Sequence, residues 1–152
     1  MTLFLECKPD ETLAFMLGVQ RRAVVHRNGK GEVCNRLAKS TGAIGLVDED
    51  PGSAAPGYFK QLKCVLHLYD LQTLADNHRR NRIVVLRPRF EEWLVKTCKQ
   101  SGLKLEDFGL SVHPLRLHAE LNERLENLRR LLGRLLELES SRLLALQRAL
   151  QC

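Results

Sequence analysis

Three short apolar runs in the first third of the chain restrict its fold more than anything else in the sequence. Thr2-Leu3-Phe4-Leu5, Ala23-Val24-Val25-His26 and Ala43-Ile44-Gly45-Leu46-Val47 carry no helical stripe and read as strands. Helical segments separate them. Pro9-Asp10-Glu11 puts acids where the positive end of a helix dipole favours them, and the helix so opened, over 11–17, stops at Gly18. The turn Asn28-Gly29-Lys30-Gly31 precedes a second helix over 32–40, which buries Val33, Leu37 and Cys34 and ends at Gly42. Strand, helix, strand, helix, strand within the first 50 residues predicts right-handed crossovers and an α/β fold, a mostly parallel sheet flanked by helices. In such sheets ligands sit beyond the carboxyl ends of the strands.

The pattern loosens after the third run. Residues 51–62, PGSAAPGYFKQL, read as a surface loop at the end of the sheet where a site would be shaped. Residues 64–69 fit a fourth strand or a short helix, and 76–80 a polar connection. Arg82-Ile83-Val84-Val85-Leu86 is a strand closed by Pro88, followed by a helix over 90–101 with Phe90, Leu94 and Val95 or Cys98 inward. No assignment emerges for 103–110. These elements form one α/β domain over 1–110, and 111–152 reads as a C-terminal leucine-rich helical extension. There Leu121, Leu125, Leu128, Leu132 and Leu135 alternate steps of four and three, with Glu120/Arg124 and Glu126/Arg130 paired outside. Past Glu139-Ser140-Ser141 a new stripe of Leu143, Leu146 and Leu150 predicts a long helix kinked or broken near Ser140. The leucine face either folds back on the sheet's helices or pairs with another chain, as a homodimer or with a partner subunit, through 115–150.

Composition narrows the class. No stretch approaches the roughly 18 apolar residues of a membrane span. Glu6 and Lys8 arrive too soon for a signal peptide, so a cytoplasmic location and no membrane partner are expected. The five cysteines are far apart and odd in number and form no CxxC pair, which fits reduced thiols. No Walker A loop or Ser nucleophile elbow is present. A net charge of +6 is compatible with DNA or RNA as partner.

What remains is a set of acids at strand ends. The third run leads into Asp48-Glu49-Asp50-Pro51-Gly52, and the first into Glu6. Asp48 and Asp50 are two residues apart, so in an extended chain their side chains point the same way. Alone, that segment reads equally as an acidic turn before Pro-Gly. A Glu at a second strand's carboxyl end favours a divalent-cation site, because Mg²⁺ takes oxygen ligands and needs only one or two carboxylates besides phosphate.

LFLECKPDE, followed by GLVDEDPG, resembles the Toprim domain, the catalytic domain shared by topoisomerases, bacterial primases and nucleases of the overcoming-lysogenization-defect type. That family has a Glu after its first strand, often as Glu-Gly-x-x-Asp, and Asp-x-Asp after its third. Glu6 and Asp10 match the first motif, with Cys7 where Gly is usual, and Asp48 and Asp50 match the second. VVLRPRFEEWL is similar to a segment of small Toprim-like nucleases, which makes Glu91 or Glu92 a further acid; Glu92, directly before Trp93, is the better match. The resemblance covers residues 2–100. It implies a Mg²⁺-dependent (or Mn²⁺-dependent) nuclease hydrolysing phosphodiesters of DNA or RNA, of a kind found in prokaryotic defence or mobile-element loci. Glu6 would act as general acid/base or metal ligand, Asp48 and Asp50 as metal ligands, and Glu92 as an added catalytic acid. The competing expectation is a catalytically degenerate Toprim-fold interaction module whose helical tail binds a partner or dimerises.

Three cations are candidate nucleic-acid contacts: Lys30 in its glycine-rich turn, and Arg87 and Arg89 flanking Pro88, each with a solvated surface role as the alternative. His26 ends a strand at the same end of the sheet, His67 in its apolar run reads as a core residue, and His113 and His118 are assigned no role.

Overall fold

The computed structural model describes residues 1–151. Six strands, β1 (Leu3–Leu5), β2 (Val24–His26), β3 (Ile44–Asp48), β4 (Lys63–Leu68), β5 (Leu71–Asp76) and β6 (Asn81–Leu86), form one sheet in the order β2-β1-β3-β6-β5-β4. The first four in that order are mutually parallel, while β5 runs antiparallel to both β6 and β4. The helices are α1 (Lys8–Met16), α2 (Lys30–Leu37), α3 (Phe90–Gln100), α4 (Pro114–Glu123), α5 (Leu125–Glu137) and α6 (Ser141–Leu150). The α/β class and mostly parallel sheet expected from the sequence are therefore present, with an antiparallel hairpin added at one edge.

Side-chain alternation along the strands divides the core in two. Leu3, Leu5, Ile44, Leu46, Val84 and Leu86 face a layer built from α1, α3 and the three C-terminal helices. Phe4, Val47, Ile83 and Val85 face the other way, onto Val33, Cys34 and Leu37 of α2. Gly45, in the middle of β3, lets α2 approach closely: a Cβ there would stand 2.7 Å from Leu37 Cδ1 and 2.9 Å from Val33 Cγ1.

Local details depart from the sequence reading. Residues 64–69 fall largely within a strand rather than a helix, but every residue of β4 is exposed, so His67 is a surface residue and not a core one. Residues 71–75 carried no assignment and form β5 together with Asp76, the first residue of the expected polar connection. The C-terminal segment breaks twice. Arg124, at φ −119° and ψ 55°, separates α4 from α5, and Ser140 caps α6 by accepting a hydrogen bond from Leu143 N at 3.3 Å. Glu126 pairs with Arg129, one residue short of the expected Arg130. Leu121, Leu128, Leu132 and Leu135 are fully buried in the cluster that contains β1 and β3. Among the described residues no helix is long and apolar enough to cross a membrane.

Candidate functional site

The parallel strands β1, β3 and β6 end side by side, and the chain leaving each one contributes to a single cleft of about 910 Å³. Glu6, Lys30, Asp48, Asp50, Arg89, Glu91, Glu92 and His118 line it, with Ser53 to Pro56 of the following loop. Six of the seven residues singled out in the sequence as candidate site residues thus meet in one place.

The carboxylates are held by backbone. Glu6 Oε1 accepts a hydrogen bond from Asp48 N at 3.1 Å, tying the tip of β1 to the tip of β3. Asp48 Oδ1 in turn accepts from Phe90 N at 3.1 Å, at the start of α3, where free amides and the helix dipole favour an anion. Asp50 arrives differently from the expected alternation. β3 ends at Asp48, and Asp50 sits at φ +46°, a left-handed turn that Asp tolerates better than most residues. Its amide donates to Pro88 O at 2.9 Å, and its half-exposed carboxylate pairs with Arg89 at 3.3 Å. Arg89 also reaches Glu92 Oε1 at 3.2 Å, while Glu92 Oε2 is buried and has no hydrogen-bond partner among the described residues.

Lys30 is the first residue of α2, and Gly29 before it has φ +90°, a conformation that favours glycine. Lys30 Nζ donates to Glu49 O at 2.7 Å and to Ser53 Oγ at 3.0 Å, so it pins the loop against the cleft as well as carrying charge into it. Arg87 is the exception among the candidates. It turns away from the cleft, pairs with Glu49, and lies 3.3 Å from His67 Nε2 beside the β4–β5 edge. Two residues apart, Arg87 and Arg89 would share a face in an extended strand, but the chain bends at Arg87-Pro88 after β6, and only Arg89 lines the cleft. His26 Nε2 is engaged by the Glu6 carbonyl oxygen at 2.8 Å.

Three further residues complete the arrangement. Asp10 lies buried in the first turn of α1 behind Glu6. Glu91 is only 7% exposed, and its Oε1 lies 2.7 Å from His118 Nδ1. Asp10 was visible as part of the first acidic motif. Glu91 was visible as one of two acids at a helix start, where the dipole explains both, and as the lesser match to the Toprim-like segment. His118 had no local signal, because it is 27 residues from its partner and only the packing of α4 against α3 brings them together.

The electrostatics follow from crowding acids in a half-buried space. Burial, and then the charges of Asp10, Glu6 and Glu91, push the Asp48 carboxyl up to about 9, against the Phe90 hydrogen bond that favours its ionised form. Burial pushes Asp10 up to about 7, opposed by its hydrogen bonding with Cys7 and reinforced by Glu6. Glu6 is raised by burial, with the Asp48 amide and Lys30 opposing. The cluster therefore retains protons near neutral pH unless a cation compensates it.

The donor set is all oxygen, which suits a hard divalent ion such as Mg²⁺. Among the described residues no three His, Cys, Asp or Glu side chains already converge as a ligand group. Mg²⁺ needs no such cage, since it keeps waters and takes one or two carboxylates plus substrate phosphate. Glu6, Asp48, Asp50 and the orphaned oxygen of Glu92 fit that requirement chemically. No protein-family model, no curated protein and no solved structure matches this chain.

Proposed function

We propose that the cleft is the active site of a Mg²⁺- or Mn²⁺-dependent phosphodiesterase acting on nucleic acid, of the Toprim-like kind whose motifs the sequence resembles. The observation that carries this reading is geometric: Glu6, Asp48 and Asp50, brought together from the ends of β1 and β3, share one cleft with the cations Lys30 and Arg89. A carboxylate cluster so crowded is what a divalent cation relieves, and two cations beside it complement a phosphodiester. Cys7, at the position where Gly is usual in the resembling motif, has φ −147° and ψ 172°, ordinary extended backbone that requires no glycine.

Asp48 and Asp50 would hold the ion, which when bound supplies positive charge to the phosphoryl group and acidifies an attacking water. Glu6 is oriented by the Asp48 amide, and its raised affinity for protons suits it to take one from water. Lys30 and Arg89 contact phosphate oxygens, and Arg89 is itself positioned by Asp50 and Glu92. Arg87 takes no part at this site.

The test is incubation with plasmid, single-stranded DNA and RNA in Mg²⁺ or Mn²⁺, beside Glu6→Ala and Asp48→Ala. Wild-type cleavage that needs the metal and falls at least about 100-fold in each variant is expected. Absence of metal-dependent cleavage, or equal cleavage by the variants, sinks the assignment; calorimetric Mg²⁺ binding by an inactive wild type would instead indicate the degenerate module.

A further inference from the structure

We propose that His118 is the general acid of this cleft, giving its Nε2 proton to the ester oxygen that leaves phosphorus, with Glu91 as the residue that positions it. The inference rests on the phosphodiesterase reading and deepens it. His118 comes from α4, outside the segment that resembles the Toprim domain, and its ring lines the same cleft as Glu6, Asp48, Lys30 and Arg89. Its Nδ1 lies 2.7 Å from Glu91 Oε1, on a carboxylate that is nearly buried at the start of α3. A carboxylate accepting from Nδ1–H fixes the ring; the acid is then the imidazolium, whose second proton sits on Nε2 facing the substrate, and its donation leaves the neutral Nδ1–H tautomer held by Glu91. Among the described residues nothing hydrogen-bonds to His118 Nε2.

The cleft groups assigned neither to the ion nor to the attacking water are poor proton donors to a leaving oxygen. Arg89 keeps its proton at any working pH, and its guanidinium is shared between Asp50 and Glu92. Lys30 Nζ is engaged by Glu49 O and Ser53 Oγ. Asp10 is buried behind Glu6 rather than lining the cleft. An alkoxide leaving from a sugar is strongly basic, so a positioned acid is worth about 10²–10⁴-fold in rate.

The chemistry balances as follows. Water attacks phosphorus and forms the new P–O bond while its proton passes to Glu6. The ester P–O bond breaks, its electron pair goes to the departing oxygen, and that oxygen takes the proton from His118 Nε2. Solvent then reprotonates His118 and removes the proton from Glu6, leaving one water added across one P–O bond.

A general acid is distinguished from a binding residue by the leaving group. An oligonucleotide with sulfur in place of the scissile bridging oxygen expels a thiolate, which needs no proton. In Mn²⁺, His118→Asn is expected to lose about 100-fold or more on the ordinary oligonucleotide and only a few-fold on the sulfur-bridged one. Glu91→Gln should show the same split to a smaller extent. His118→Asn removes a hydrogen bond from the nearly buried Glu91, so melting temperature is measured alongside, and the split between the two oligonucleotides, which lost stability does not produce, carries the test. Equal losses on both oligonucleotides, or no loss on the ordinary one, would overturn the proposal while leaving the phosphodiesterase intact. Failure of the wild type to cut either substrate would remove the phosphodiesterase reading itself, and this inference with it.

Discussion

Asp48 concentrates the conflict on which the site depends. An unfolded chain ionises this carboxyl near its ordinary 3.8, whereas the folded protein holds the proton up to about 9. Below the first value both states are protonated and folding pays no penalty. Between the two, the unfolded state sheds its proton and the folded state keeps it, so each step up in pH favours unfolding; above about 9 the slope ends. Asp10 adds a second contribution of the same sign between its ordinary 3.8 and about 7. The metal-free protein should accordingly lose thermal stability steadily as pH rises from 4 to 9. Asp48→Asn should flatten that profile and raise the melting temperature at pH 8 by about 4 °C or more, at about 2–4 °C per kcal/mol for a chain of this size. Addition of Mg²⁺ at pH 8 should stabilise the wild type and not the variant. Thermal melts in chelator and in Mg²⁺ across that range decide the matter, and parallel profiles for the two proteins would refute it.

At the scale of elements, the cleft depends on how closely α2 lies on β3, since α2 begins with Lys30 and β3 ends with Asp48. Gly45 sets that distance. In Gly45→Ala the new methyl would collide with Leu37 and Val33, and Val33 is a stiff β-branched side chain that cannot swing aside. A loss of about 1–3 kcal/mol is expected, seen as a lower urea midpoint with an unchanged slope. Strands whose apolar runs are bounded by glycine or proline were legible in the sequence, because burial on both faces of a parallel sheet leaves little room for polar residues. β5 was not, because LQTLAD mixes polar and apolar residues on a strand that is a partner to an exposed edge. β4 misled in a specific way: its apolar run suggested burial for His67, yet the strand lies at the sheet edge with Val65 and Leu66 exposed. The acids at strand ends were legible because topology alone delivers them to one edge. The His118–Glu91 pair was not, since it is created by tertiary packing of two helices with no periodicity in common.

At the scale of the whole molecule, the division into an α/β domain and a helical extension does not coincide with a division of the core. Leu128, Leu132 and Leu146 belong to the same buried cluster as Leu3, Leu5 and Leu46, and α5 packs directly on α1. Arg142 fastens the end of the chain. It is 2% exposed, donates to Thr97 Oγ1 and to Asp70 Oδ2 at 2.9 Å each, and lies over the Trp93 ring, so α6, α3 and the β4–β5 turn are joined through one side chain. The leucine seam is thus consumed within the chain, which weighs against using it to recruit a partner. It also predicts that residues 1–110 alone will not fold. Removing the remainder uncovers Leu13, Leu17 and Leu94, along with the outer side of the β1–β3 layer. At about 1.5–3 kcal/mol for each large side chain returned to water, a handful of such exposures matches the whole stability of an ordinary domain, about 5–15 kcal/mol. The fragment should show no cooperative thermal transition by circular dichroism, whereas the full chain should melt as a single unit. A cooperative melt of 1–110 would show that the sheet and its first three helices form a self-sufficient core, and that the C-terminal helices, with His118 among them, were added to a site already able to stand alone.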